Sequence, residues 1–466
     1  MKYWKRYCLA ALALILAIAA SSTQAAPRNM AARPAIPAIQ QVQIPIQQFT
    51  LKNGLRVVLS EDHAAPTVSL CMTYDTGSRN ELPGHTGFAH LFEHMMFQGS
   101  ENVGKGEHFI LIENNGGDMN GSTSSDSTNY YERLPSNQLD LALFLESDRM
   151  KALRVTQATL DNQRSTVQEE RRLRYDNQAY GKTEEILEGL AYDNFAYKHS
   201  TIGSMEDLNA AKLEDVAQFF KTYYAPNNAV LVLVGDFKTP EAMEKIKKYF
   251  EDIPSQPVPP AVDMTEPAQN AERRSQIEDA FARLPRLDVV YKTVPANTPD
   301  WYALDMLGDI LFSGPSSRMY QKLVKEKPLA LQVAGGMDLR RGTSLFQGFA
   351  LLRPGQDAGE VEKLMYEEFD RVKQDGVTRA EMDKVRIQDD LQQARSLTST
   401  LGRAMMLGRF AVFFHDPTLV NTILKNYDGV TSADIQRVAR KYLGSAQRTV
   451  LLTTPKAQPK MAPPAR

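Results

Sequence analysis

Apolar residues fall in short alternating or continuous runs along the first 240 residues, separated by turn signals. "FTLKNGLRVVLSED" (Phe49 to Asp62) predicts two short strands joined at Asn53-Gly54, a hairpin dipeptide. "TVSLCMTYDTGS" (Thr67 to Ser78) predicts another strand, and "NNAVLVLVGDF" (Asn227 to Phe237) a strand buried on both faces. Helical periodicity marks Gly87 to Phe97, Leu139 to Leu153, Thr159 to Tyr175, Thr183 to Tyr192 and Leu213 to Tyr224. Between the first two helices, glycine-rich "NNGGDMNGSTSSDSTNYYERLP" (Asn114 to Pro135) reads as a flexible loop and turn that leads into the strand "TNYYERL".

The pattern then recurs. A Pro-rich segment from Pro254 to Pro267 marks a boundary. "EDVAQFFKTYYAPNNAVLVLVGD", starting at Glu214, falls without a gap on "ADIQRVARKYLGSAQRTVLLTTP", starting at Ala433, when moved 219 places. "HLFEHMMFQG" (His90 to Gly99) lies over "DMLGDILFSG" (Asp305 to Gly314). A duplicated α+β unit of about 220 residues follows. The first unit is placed at 46–253, a linker at 254–274, the second unit at 275–457 and a tail at 458–466. The second unit has Asp305, Gly308 and Asp309 where the first has His90, Glu93 and His94. Whatever those three residues do, only the first unit does it.

Composition narrows the classes. With 24% charged residues, 42% hydrophobic residues and a net charge of -2, the 466-residue chain offers no electrostatic footprint for nucleic acid or an anionic membrane. Residues 1–26 carry Lys2, Lys5 and Arg6, an apolar run and then small residues, the pattern of a secretory signal peptide. The expected location is periplasmic or secreted, with no membrane span once the signal is cut. Residues 27–45 are rich in Ala, Pro and Gln and read as an arm. Cys8 leaves with the signal, so Cys71 has no partner for a disulfide.

The chemistry concentrates in "GFAHLFEHMMFQGS" (Gly87 to Ser100). On a helix His90 and His94, four apart, share one face and can both reach one zinc ion. Glu93 lies on the same side, where a general base must sit to take a proton from a water on the metal. A His-x-x-acidic-His run arises at random in only about one such chain in a hundred. A catalytic zinc needs a third protein ligand. The helix after Thr159 offers Glu169 and Glu170, which point about 100° apart, and spacing does not choose between them.

"GHTGFAHLFEHMMFQGS", "NNGGDMNGSTSSDSTNYY" and "YKHSTIGSMEDLNAAKLEDVAQFFKTYYAPNNAVLVLVGD" together resemble the pitrilysin/insulinase family of zinc peptidases, in the short-subunit branch of mitochondrial processing peptidases and their bacterial relatives. The resemblance implies two homologous domains, each a mixed, mainly antiparallel β-sheet packed with helices. It implies one zinc per chain on His90, His94 and Glu170, with Glu93 as the base. The family's third-ligand helix falls on Gln163, Arg164, Val167 and Glu170. Gln163 stands where the family has a supporting glutamate. The resemblance also implies that substrate adds as a strand near Asn120, Gly121 and Ser122. Active members carry an Arg and a Tyr in the second half, and here Val324 and Leu331 hold those positions. The expectation is an exported zinc endopeptidase acting on peptides or unfolded polypeptides. It is expected to be the catalytic half of a two-chain enzyme whose homologous partner supplies Arg and Tyr, or otherwise a homodimer. The competing reading is a non-catalytic scaffold or peptide-binding subunit of the same fold.

Overall fold

The computed structural model describes residues 43–456. The expected signal peptide, most of the arm and the tail lie outside the described residues. The first sheet holds β1 (Gln47–Thr50), β2 (Arg56–Glu61), β3 (Thr67–Tyr74), β4 (Asp118–Thr123), β5 (Thr128–Pro135) and β6 (Ala229–Gly235). Their order is β1-β2-β6-β3-β5-β4, and only β2 and β6 run parallel. The second sheet holds β7 (Arg273–Asp279), β8 (Arg286–Lys292), β9 (Ala330–Met337), β10 (Leu345–Leu352) and β11 (Arg448–Pro455). Its order is β7-β11-β8-β10-β9, with only β7 and β11 parallel. The second sheet therefore repeats the first strand for strand, less β1. β7 begins inside the stretch read as linker.

Helices of eight or more residues are α1 (Phe88–Met95), α2 (Glu107–Asn114), α3 (Leu139–Ala152), α4 (Gln157–Arg171), α5 (Thr183–Ala191), α6 (Leu213–Tyr223), α7 (Thr239–Phe250), α8 (Pro299–Phe312), α9 (Ala358–Asp375), α10 (Arg379–Thr398), α11 (Thr400–Phe413) and α12 (Ser432–Tyr442). The 219-residue offset carries α6 onto α12 residue for residue, and β6 onto β11. Gly99 and Gly314, matched in the repeat, both have positive φ, at 100° and 77°.

β6 explains how the halves are joined. Every one of its residues is buried, because its run of Val and Leu is covered on both faces. Leu231 and Leu233 enter the core that holds Leu91, Phe92 and Met95 of α1. Val230, Val232 and Val234 face Leu407, Phe410 and Ala411 of α11, a helix from the second half of the chain. α5 crosses the other way, placing Leu187 and Ala191 against Val290, Leu345 and Leu451 of the second sheet. Each sheet is thus closed by a helix from the other half.

Two local expectations change. The glycine-rich stretch is not a loop, since Asp118–Thr123 pairs with β5, Asn120 opposite Tyr131 and Gly121 opposite Tyr130. The ladder with β5 overrides the weak strand propensity of Asn and Gly. The helices α2 and α7 lie where no helix was marked. Among the described residues no helix is long and apolar enough to cross a membrane.

Candidate metal centre

The site begins with the placing of α1. Gly87, just before it, has φ 85°, and a Cβ there would lie 2.6 Å from the carbonyl oxygen of Ile202. The buried carboxylate of Glu81 accepts from Gly87 N at 2.9 Å and Ala89 N at 2.8 Å, capping the helix where its free N–H groups and dipole favour an anion. His199 Nε2 lies 2.9 Å from the same carboxylate. Burial raises the Glu81 pKa, against the pull of His199. Leu91, Phe92 and Met95 bury one face of α1, which leaves His90, Glu93 and His94 on the other.

α4 brings the third group. Val167 is buried in the same core, and Arg164 Nε donates to Leu208 O at 2.9 Å. Glu170 then meets α1: its Oε2 is 3.3 Å from His94 Nε2 and 3.7 Å from His90 Nε2. One ligand atom from each of the three residues lies within 4.8 Å of the others. Four ligands set tetrahedrally at 2.0–2.2 Å from zinc would stand about 3.3–3.6 Å apart, so the donor set fits that ion. Glu169 instead turns outward to Arg172, 3.0 Å away.

The surroundings act in opposite directions on the two imidazoles. His90 is held down to about 4, first by burial and then by the neighbouring charge of His94. It therefore stays neutral. Burial also pulls on His94, but the hydrogen bond to Glu170, the charges of Glu93 and Glu170 and the contact with Gln163 outweigh it and raise its pKa. The hydrogen bond with His94 is the first cause holding Glu170 below its usual value. Gln163 Oε1 lies 3.3 Å from His94 Nδ1. With the proton on Nδ1, His94 donates to Gln163 and turns the lone pair of Nε2 inward.

Glu93 sits beside these atoms and is pushed upward by burial. Thr123 Oγ1 donates to its Oε2 at 2.6 Å. A Cβ on Gly121 would lie 2.8 Å from its Oε1, so β4 passes directly against the carboxylate. β4 is the outer strand of its sheet, with one row of backbone groups unpaired by the sheet. Asn120, Gly121 and Ser122 line, with His90, His94 and Glu170, one cavity of about 570 Å³. Gln163 lines it too. Every sequence-derived site residue is therefore in one cleft.

Three contributors were not singled out from the sequence: Glu81, Thr123 and Arg174. Arg174 follows Glu170 by four residues, and its Nη1 forms an ion pair with Glu170 Oε1 at 2.8 Å. That i,i+4 spacing was the available signal. Arg318, near the position where the family's Arg was sought, is engaged with Glu381 at 2.6 Å. Leu331 is 44% exposed on β9. Cys71 is buried and free, its thiol pushed up to about 12 by burial.

Two imidazoles, a carboxylate and an adjacent second carboxylate in one cleft are the donor set that metal-dependent hydrolases use. The family model described as "Insulinase (Peptidase family M16)" matches residues 56–204, and that described as "Peptidase M16 inactive domain" matches residues 210–388. The chain belongs to the M16, insulinase-like, peptidase family. It is 30% identical to "Zinc protease PqqE" of Helicobacter pylori over 88% of this chain and 93% of that one. It is 25% identical to "Probable mitochondrial-processing peptidase subunit beta, mitochondrial" of Arabidopsis thaliana, over 84% and 75% of the two chains. A crystal structure of a protease from Helicobacter pylori superimposes with a TM-score of 0.85 at 29% identity, covering 88% of this chain and all of that one.

Proposed function

We propose that the chain is an exported zinc endopeptidase, the catalytic subunit of a two-chain enzyme, with one zinc held by His90, His94 and Glu170. The observation that carries this reading is the convergence of His90 Nε2, His94 Nε2 and Glu170 Oε2 beside Glu93, against the free edge of β4. Relatives named as zinc proteases support the metal.

When bound, zinc polarises a peptide carbonyl and acidifies a coordinated water. Glu93 accepts the proton of the attacking water on its Oε1, while Thr123 holds its Oε2. The burial that raises Glu93 brings its basicity closer to the proton it must move. Glu93 can then pass that proton to the leaving amine. Gln163 keeps His94 in the tautomer that ligates through Nε2. β4 pairs with an extended substrate segment through its backbone, so substrates are peptides or unfolded chains. Gly121 leaves room for that segment and for Glu93.

Val324 and Leu331 can neither donate to nor polarise a carbonyl. A homologous subunit without zinc supplies Arg and Tyr from across the cleft, or failing that a second copy of this chain docks. The signal-like pattern of residues 1–26 supports a periplasmic or secreted location. The test is cleavage of an unstructured peptide by the purified chain, alone and with a co-expressed homologous partner. Cleavage that needs the partner and falls about 10²–10⁴-fold in Glu93→Gln is the expected result. Full activity of the lone chain removes the two-chain reading. Cleavage unaffected by Glu93→Gln removes Glu93 as the base, and no cleavage under either condition favours the scaffold reading.

A further inference from the structure

The sequence "EERRLR" (Glu169 to Arg174) puts three arginines directly after the metal-facing carboxylate, and each finds a different partner. Arg171 turns inward to Glu185 at 3.0 Å. Arg172 pairs with Glu169, 3.0 Å away and on the outer surface. Arg174, in the π-helical turn Arg172–Asp176 that continues α4, reaches back to Glu170 Oε1 at 2.8 Å. The other oxygen, Oε2, is the one that faces His94 and His90. The two oxygens of Glu170 are thus divided between a guanidinium and the imidazole pair.

We propose that Arg174 is a positioning residue that holds Glu170 as a one-oxygen ligand of the metal. This rests on the metal reading above. A carboxylate can ligate through one oxygen or two. Two-oxygen binding would occupy the position that a hydrolytic centre keeps open. The guanidinium charge held 2.8 Å from Oε1 competes with that second bond for the same oxygen. Gln163 does the matching task for His94, while His90 Nδ1 is buried without a partner.

The pair is accessible, with Glu170 18% and Arg174 73% exposed, so replacing Arg174 leaves the core untouched. The experiment uses the full chain. Zinc affinity is measured by competition with a chromogenic chelator, and the visible spectrum is recorded after cobalt substitution. In Arg174→Ala the affinity should fall about tenfold, the effect typical of losing an outer partner of a ligand. The cobalt bands should weaken as Glu170 turns to two-oxygen binding and the coordination number rises. Arg174→Lys, which keeps a cation beside Oε1, should restore both. Arg172→Ala removes the same charge two residues away and should change neither. Equal affinity and spectrum in Arg174→Ala and Arg172→Ala would overturn the role of Arg174. A wild-type chain that binds no zinc would overturn the metal reading and this inference with it.

Discussion

Glu93 is confined from two sides, by the Thr123 hydroxyl at 2.6 Å and by a glycine whose missing Cβ would sit 2.8 Å from its Oε1. Confinement of this kind decides whether a base stands within reach of its proton. Gly121→Ala should therefore displace Glu93. Peptide cleavage should drop at least tenfold, while bound zinc, measured by elemental analysis, should stay at the wild-type level. Unchanged cleavage would mean that β4 yields rather than the carboxylate. At this scale the helical spacing made His90, Glu93 and His94 legible in the sequence. It could not separate Glu169 from Glu170, because they are adjacent on an amphipathic helix and spacing alone does not set which one faces α1. The difference lies in where the helix docks: Val167 and the Arg164 bond to Leu208 set its rotation. Glu81 and Thr123 act from separate segments, so no local spacing pointed to them.

Among the elements, α8 and α10 show what became of the site in the second half. Asp305 and Asp309 of α8 stand where α1 has its histidines, and Asp389 of α10 joins them. Burial pushes Asp305 up to about 7, and burial followed by the charges of Asp309 and Asp305 pushes Asp389 up to about 8. Tyr427 Oη donates to Asp305 at 2.6 Å, and Ser313 bonds Asp309. Asp389 Oδ2 is buried without a partner. Lys384 and Asp390 are the other charges acting on these carboxyl groups. Their folded pKa values exceed that of an unfolded aspartate, about 3.9, so the protonated forms stabilise the fold. That contribution is present at low pH and is lost as pH rises through 7 and 8. Asp389→Asn should therefore gain thermal stability relative to the wild type, read as a difference in Tm that widens between about pH 4 and pH 8 and levels off above. A constant difference would contradict the burial of an ionisable pair there. The duplication itself was visible as a 219-residue offset that carries α6 onto α12. β4 was not legible from propensity, because Asn, Gly and Ser favour turns, and only the family resemblance implied an edge strand there.

In the molecule as a whole, the two halves are interlocked rather than strung on a linker. The Pro-rich segment lies between α7 and β7. An apolar helix face does not say which surface it covers, so the crossing of α5 and α11 could not be read from periodicity. Leu407 of α11 is fully buried against β6. Leu407→Ala should cost about 2–5 kcal/mol. Both sheets should still melt in one transition, followed by denaturant titration with fluorescence and circular dichroism. Two separated transitions would contradict the interlock. The same interlock clamps β3 and β6 between the α1 core and α11. The central claim is that His90, His94 and Glu170 converge to hold one zinc, with Glu93 beside the ion but not on it. Zinc bound per purified chain tests it most directly, measured in the wild type, Glu93→Gln and Glu170→Ala under the same free-zinc buffer. The account predicts one zinc, one zinc and a strongly reduced content. A wild-type chain without zinc, or Glu170→Ala retaining a full equivalent, would contradict it.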